Sequence, residues 1–202
     1  PIIIRAKESD AGKVIIKNTT LTLSGTYGVV TGLIFDNSMV QVSGNYNRVS
    51  RNVFRNGTGK DISAAISIHQ GSYNRVDYNE IVDWQKRGIR VIPKGSKKGG
   101  KDDTSTQHNR IDHNYLHKFE GNQTNGTEGI QLGKGMNNTF VKLLTVVEYN
   151  LLDQVINDDE VVSIKSSENV VQFNTFINSD VTMQVRHGFS NQFISNINSS
   201  CL

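Results

Sequence analysis

The chain has 202 residues, enough for one domain with a real core. Apolar residues make up 36%, and no stretch approaches the roughly 20 apolar residues of a membrane span, so no spanning helix is expected. The formal charge of +3 is compatible with a polyanionic partner without demanding one, and the single cysteine, Cys201, excludes an internal disulfide. Gly, Asn and Ser are plentiful, which suits a loop-rich β protein better than a helix bundle. The chain opens on Pro1 rather than Met, and from sequence no signal peptide is expected in it. The expectation is a processed or trimmed piece of a longer chain.

Residues 2 to 43 hold short apolar runs, among them Ile2-Ile3-Ile4, Val14-Ile15-Ile16, Leu21-Thr22-Leu23 and Val40-Gln41-Val42. They read as strands, and helical periodicity is absent throughout. A repeat then sets in, with paired asparagines five residues apart and an apolar residue two positions after each except Asn196, where Ile197 follows directly. It reads Asn47/Asn52, Asn74/Asn79, Asn109/Asn114, Asn169/Asn174 and Asn191/Asn196, with a partial copy at Asn150. The second asparagines are spaced by 27, 35, 36, 24 and 22 residues. A base period near 22 to 24 with longer steps describes a solenoid with loops inserted in some turns.

Each asparagine pair follows a strand. Val42 precedes Asn47, Ile68 precedes Asn74, Leu132 precedes Asn137, Ile164 precedes Asn169 and Val185 precedes Asn191. One rung therefore reads strand, turn, strand, turn, strand. The expected fold is all-β: a single right-handed parallel β-helix over residues 1–202, lacking clear end caps. Stacked asparagine amides would bond from rung to rung. Three insertions interrupt the period. Residues 94–105 form a basic loop with Lys94, Lys97, Lys98 and Lys101, read as a solvated loop or as an arm touching a polyanion. Residues 117–127 are polar and lead into Glu128, and residues 133–145 form a smaller excursion. Six glycosylation sequons begin at Asn18, Asn56, Asn122, Asn125, Asn137 and Asn198, most of them attributable to an Asn-rich composition.

The densest chemistry lies between Asp158 and Gly188. Val161-Val162-Ser163-Ile164-Lys165 and Val181-Thr182-Met183-Gln184-Val185-Arg186 match at a shift of 21 residues, placing Lys165 opposite Arg186. As parallel neighbours the two cations would stand about 4.8 Å apart at the backbone. Such a pair suits an anionic ligand. Aligning Leu132 on Ile164 stacks Ile130 on Val162 and Glu128 near Glu160. Asn125, Glu128, Asp158 and Glu160 then form one patch beside Lys165. Carboxylates and an amide oxygen without His or Cys are hard-oxygen ligands that suit Ca²⁺ better than Zn²⁺ or copper. The plainer reading is an acidic surface cluster neutralised by Lys165 and Arg186.

These residues resemble polysaccharide lyase family 6, the β-helical alginate lyases and chondroitinase B. The resemblance is carried by Asn125-x-x-Glu128, Asp158-x-Glu160, Ser163-Ile164-Lys165-Ser166-Ser167 and Arg186-His187-Gly188, with the lead-in from Pro1 to Phe35. It implies an alginate-type lyase acting on an anionic uronic-acid polymer by β-elimination. Ca²⁺ would be held by Asn125, Glu128, Asp158 and Glu160, Lys165 would take the C5 proton, Arg186 would stabilise the leaving oxygen, and His187 would touch substrate. Asp158 stands where the family usually carries Glu. The resemblance also implies secretion or a periplasmic location. Scattered basic residues and few aromatic ones argue against a nucleic-acid partner, and no membrane partner is expected.

Three other readings compete. A dermatan-sulfate lyase like chondroitinase B would require a sulfate pocket, which the basic loop could supply. A non-catalytic β-helical binding or adhesin module shares the fold. A polygalacturonase-type hydrolase has Asp158-Asp159 and His187-Gly188 in its favour. It needs two carboxyls flanking the scissile bond, and no Asn-Thr-Asp precedes at one rung's distance.

Overall fold

The computed structural model describes residues 1–94, 104–119, 126–156, 160–179 and 183–199. Of the expected site residues, Asn125 and Asp158 lie outside these ranges, as does most of the basic loop. Three parallel sheets of eight, eight and seven strands wind through the described residues. Successive strands go to the first, second and third sheet in turn, so every third strand is a hydrogen-bonded neighbour. The chain is a parallel β-helix. Its only helical elements among the described residues are two 3-10 turns, Glu8–Asp10 and Met136–Asn138, and no helix is long and apolar enough to cross a membrane.

Register follows from stacking like on like. Val30, Val49, Val76, Ile111, Val147 and Val171 form one inward column. Phe35, Phe54, Ile81, Leu116, Leu152 and Phe176 form a second, and all twelve are fully buried. In a parallel stack each apolar residue covers the one below. A slip of one residue would turn the whole column outward.

The asparagines sit at the corners flanking the first sheet. Asn52, Asn79, Asn114, Asn150, Asn174 and Asn196 form an unbroken ladder. Each backbone N–H donates to the next Oδ1 at 2.9–3.1 Å, and each Nδ2 does the same over that range. The second Nδ2 hydrogen caps backbone carbonyls, as Asn114 does at Val76 O, 2.9 Å. The partner ladder runs Asn47, Asn74, Asn109, then Thr145, then Asn169 and Asn191. Asn137, expected in this series, is not in the ladder. The excursion after Leu132 carries the chain away from the corner, and Thr145 takes the corner place, its N–H donating to Asn169 Oδ1 at 3.2 Å.

A residue with left-handed backbone precedes each ladder position, and many of these residues are aromatic. Tyr46, Tyr73 and His108 have φ of 55°, 58° and 56°. With Tyr27 they stack at ring separations of 5.2, 5.1 and 4.9 Å. Tyr78, His113, Tyr149 and Phe173 repeat this at the second corner. Left-handed backbone costs a bulky residue about 1–2 kcal/mol. The amide ladder offsets that strain, and ring stacking contributes further where the corner residue is aromatic.

On the outer face of the first sheet, cations and carboxylates interleave. Arg75 donates to Asp112 through Nε at 2.8 Å and Nη2 at 2.6 Å. Arg48 clamps Asp77 in the same way one rung earlier. Asp77 and Asp112 are fully buried. Burial acts to raise the pKa of Asp112, but hydrogen bonds from Arg75 and His113 and the charges of Arg75 and Arg110 outweigh it and hold it below the usual carboxylate value.

Two outcomes follow. Asn114→Ala should cost about 3 kcal/mol or more in denaturant unfolding, because it strands several buried groups at once, whereas Asn196→Ala, at a partly buried position, should cost well under half of that. Because the folded pKa of Asp112 is depressed, its stabilisation is complete above the unfolded value of about 3.9 and disappears as pH falls through the folded one. Asp112→Asn should therefore lower the melting temperature at neutral pH and flatten its decline in acid.

Candidate active site

The site lies on the outer face of the third sheet, where Arg87–Ile92, Ile130–Leu132, Val162–Lys165 and Met183–His187 lie side by side. The expected stacking of Ile130 on Val162 and Leu132 on Ile164 is present. Where the chain enters these strands, two consecutive residues turn inward instead of one. Gly129 faces Leu152 and Val155, and Gly88 faces Leu116 and Phe119. Val161 and Val162 are likewise both buried. This breaks the alternation, so outward residues at the corner are three apart. Gln131 Nε2 consequently reaches Glu128 Oε1 at 2.8 Å.

Glu128 is 1% exposed and is the hub of the site. Its Oε1 also accepts from Lys165 Nζ at 3.1 Å, and Arg87 Nε stands 2.9 Å from its Oε2. That N–H is poorly aligned, so both atoms are buried without a hydrogen bond. One rung on, Glu160 Oε1 pairs with Arg186 Nη1 at 3.1 Å, while Glu160 Oε2 is buried without a partner. Glu128, Glu160, Lys165 and Arg186 are thus brought together as anticipated. Among the described residues no group of three or more His, Cys, Asp or Glu side chains converges on a metal-sized site.

One expectation requires correction. Val162 pairs with Met183 and Ile164 with Val185, but Lys165 pairs with His187 and not with Arg186. A bulge after Val185 inserts Arg186 as an extra residue. Bulges re-aim side chains. Arg186 leaves the ladder, is 43% exposed at its side chain and swings to Glu160. His187 takes the place beside Lys165. The reversal that follows needs Gly188, whose φ is +105° and whose Cβ would lie 2.0 Å from Ser166 O.

Lys165, Arg186 and His187 line one cavity of about 250 Å³ with Arg87, Gln131, Lys134 and Gly135. Arg87, Gln131 and Lys134 escaped the sequence reading. The only signal for the first two was the three-residue spacing of Arg87 and Arg90, and of Glu128 and Gln131, which reads as outward only once the corner is seen. The cavity is strongly cationic, with a buried carboxylate at its floor.

The family model for chondroitinase B matches residues 1–201. The chain belongs to the chondroitinase B family, polysaccharide lyase family 6. No curated protein matches it in sequence. Among solved structures it is similar to a mannuronic acid specific family 6 lyase from human gut microbiota, with TM-score 0.78 and 22% identity over 98% of this chain and 47% of that one. It is also similar to a family 6 alginate lyase in complex with a trisaccharide, with TM-score 0.82 and 22% identity over 97% of this chain and 44% of that one. An alginate lyase in complex with G6 gives TM-score 0.79 and 23% identity over 96% and 44%. The chain spans about half the length of these relatives.

The two ion pairs differ in depth, so their loss should differ in cost. Glu128→Ala leaves Lys165 and Arg87 without their shared counter-charge and should destabilise by about 3–5 kcal/mol. Arg186→Ala, where the arginine side chain is 43% exposed and water can take its place beside Glu160, should cost less, about 1–3 kcal/mol. Chemical unfolding of both variants checks the contrast.

Proposed function

We propose that this chain forms the catalytic face of a lyase that cleaves a uronic-acid polymer, alginate in first place, by β-elimination. The observation that carries this reading is the convergence of Lys165, Arg186 and His187 in one cationic cavity beside two stacked, buried carboxylates. Family membership supports the reaction class, and the relatives described above as alginate or mannuronic acid lyases support the substrate. An extracellular polymer as substrate fits a secreted or periplasmic protein.

In this mechanism the cavity's cations draw in a polyanion and hold its carboxylates. To act as base, Lys165 must first give up the proton it directs at Glu128; as the free amine it then takes the proton from C5 at Nζ. The electron pair left at C5 forms the C4–C5 double bond, and the C4–O4 bond breaks. Arg186 donates hydrogen bonds to the departing O4, whose proton comes from water. Arginine stays charged in proteins, so stabilising the leaving oxygen suits it better than giving up a proton. His187, beside Lys165 in register, touches the substrate.

A calcium ion fits the donor set. Glu128 Oε2, which Arg87 Nε approaches to 2.9 Å without a hydrogen bond, and Glu160 Oε2 are buried carboxylate oxygens one rung apart. Those two residues, with Asn125 and Asp158, would hold Ca²⁺. When bound it would neutralise the uronate carboxylate and ease loss of the adjacent proton.

Polymannuronate, polyguluronate and dermatan sulfate, each incubated with the protein, distinguish the substrates by the ultraviolet absorbance of the unsaturated product. Turnover of an alginate block is expected, reduced about 10²–10⁴-fold in Lys165→Ala and about 10²–10³-fold in Arg186→Ala. No product from any polymer, with the protein folded, would leave a binding module. Separately, Ca²⁺ should raise the melting temperature of the parent protein and not that of Glu160→Gln. An equal shift in both would remove Glu160 from the metal site.

A further inference from the structure

The two aromatic ridges flank a face that the mechanism leaves unused, the outer side of the first sheet. Tyr27, Tyr46, Tyr73 and His108 line one edge of it, and Tyr78, His113, Tyr149 and Phe173 line the other. Left-handed backbone does not by itself call for aromatic residues. Where the chain leaves the second sheet, the same backbone, with φ of 47–57°, is carried by Asn18, Asn37, Asn56, Asp83, Gln154 and Asn178. Asn and Asp adopt that conformation at lower cost than a bulky ring. Tyrosine at the corners of the first sheet therefore answers to something besides backbone shape.

The rings show solvent their edges. Neighbouring planes lie within 5–30° of parallel at 4.8–5.3 Å, so the faces cover one another. Tyr27, Tyr46, Tyr73, Tyr78 and Tyr149 are nonetheless exposed, through edge and hydroxyl. The edge is the positive side of an aromatic ring's quadrupole. Among the described residues the only tyrosine hydroxyl with a protein hydrogen bond is that of Tyr115, on another face, so these five hydroxyls are free. Between the ridges stand Arg48, Arg75 and Arg110, with side chains 37–46% exposed. Their partners Asp77, Asp112 and Glu148 are buried beneath them. Arg51 adds a fourth cation. It caps the open face of Tyr78 at 5.6 Å and has no acidic partner among the described residues. The acids lie below and the guanidinium groups and ring edges on top, so the surface presents positive charge and unused donors.

We infer that the outer face of the first sheet docks an extended anionic polysaccharide, as a surface separate from the cavity at Lys165; the choice of a uronic-acid polymer rests on the lyase reading above. Ring edges, hydroxyls and guanidinium groups recur from rung to rung, about 4.8 Å apart. A flat run of equivalent donors suits a chain that repeats its carboxylates and hydroxyls. A protein partner would want a desolvated pocket for an apolar anchor, and here the ring faces are already taken by each other. The ridges are staggered. The first runs over the rungs from Tyr27 to His108 and the second over those from Tyr78 to Phe173, so the track crosses the sheet obliquely over Arg75 and Arg110. Docking there leaves the cavity at Lys165 open and keeps the protein on its polymer between cuts.

The test uses long polymannuronate and polyguluronate, with neutral dextran as control, on Lys165→Ala so that no polymer is cut. Hydroxyl-radical footprinting reads Tyr46, Tyr73 and Tyr78 directly. Both uronate polymers should protect them, less so at high salt, and dextran should not. Tyr73→Asn combined with Tyr78→Asn keeps a residue suited to left-handed backbone and should weaken polymer binding about 10-fold. Arg51→Gln, which leaves the ridges in place, should weaken it about 3-fold. With Lys165 intact, these variants should raise KM for long polymer and leave the rate on a trisaccharide unchanged. Turnover by the parent without protection of these tyrosines, or unchanged affinity in the folded variants, would overturn the docking surface and leave the lyase intact. Protection that depends on the ridges, without turnover of any polymer, would uphold the surface and refute the lyase. Equal protection by dextran would overturn the anionic assignment. Self-association abolished by the Asn variants, with no protection by polymer, would overturn the proposal and make this face a contact between copies.

Discussion

Everything in this structure depends on each rung lying in exact register on the one below. A parallel strand makes slanted hydrogen bonds to a neighbour some two dozen residues away, with no hairpin to fix the pairing. The asparagine ladder supplies the missing constraint. Each Oδ1 accepts both the backbone N–H and the Nδ2–H of the preceding rung, so a shift of one residue would break both at a buried corner. Long insertions are tolerated because they leave between corners and return to the same asparagine, as the 35- and 36-residue steps do. The cost of a longer loop grows only slowly with its length.

That rigidity is what allows chemistry on a sheet face. Glu128, Lys165, Glu160 and Arg186 come from three rungs, widely separated in the chain, yet meet at 3.1 Å. The places of Glu128, Glu160 and Lys165 are set by strands whose inward residues, Ile130, Leu132, Val162 and Ile164, are buried. Precision then comes from two local departures. The double inward turn at the corner gathers Arg87, Glu128 and Glu160 at one edge of the face. The bulge at Arg186 frees one cation from the stack and seats His187 beside Lys165. Two cations directly opposite each other would repel. The bulge separates them and gives each its own carboxylate.

The sequence by itself determined the architecture. Asparagines five apart, with apolar residues at fixed offsets, recur with a period that admits only a stacked solenoid. The match of Leu132 to Ile164 correctly set Glu128 beside Glu160, and Lys165 and Arg186 were singled out by their place in alternating strands. Tertiary structure alone decided the rest. The 21-residue match put Arg186 on Lys165, because an alignment without gaps carries no bulge. Asn137 was read into the ladder because spacing cannot say where an excursion leaves the corner, and Thr145 fills that place. Nothing in the sequence around Arg90 points to Ser63 and Ser67, its hydrogen-bond partners on the neighbouring rung, which meet it only in the stacked coils. Period and pattern are local properties of the chain. Register shifts and unbalanced charge are properties of contacts between rungs, and they exist only once the coils have stacked.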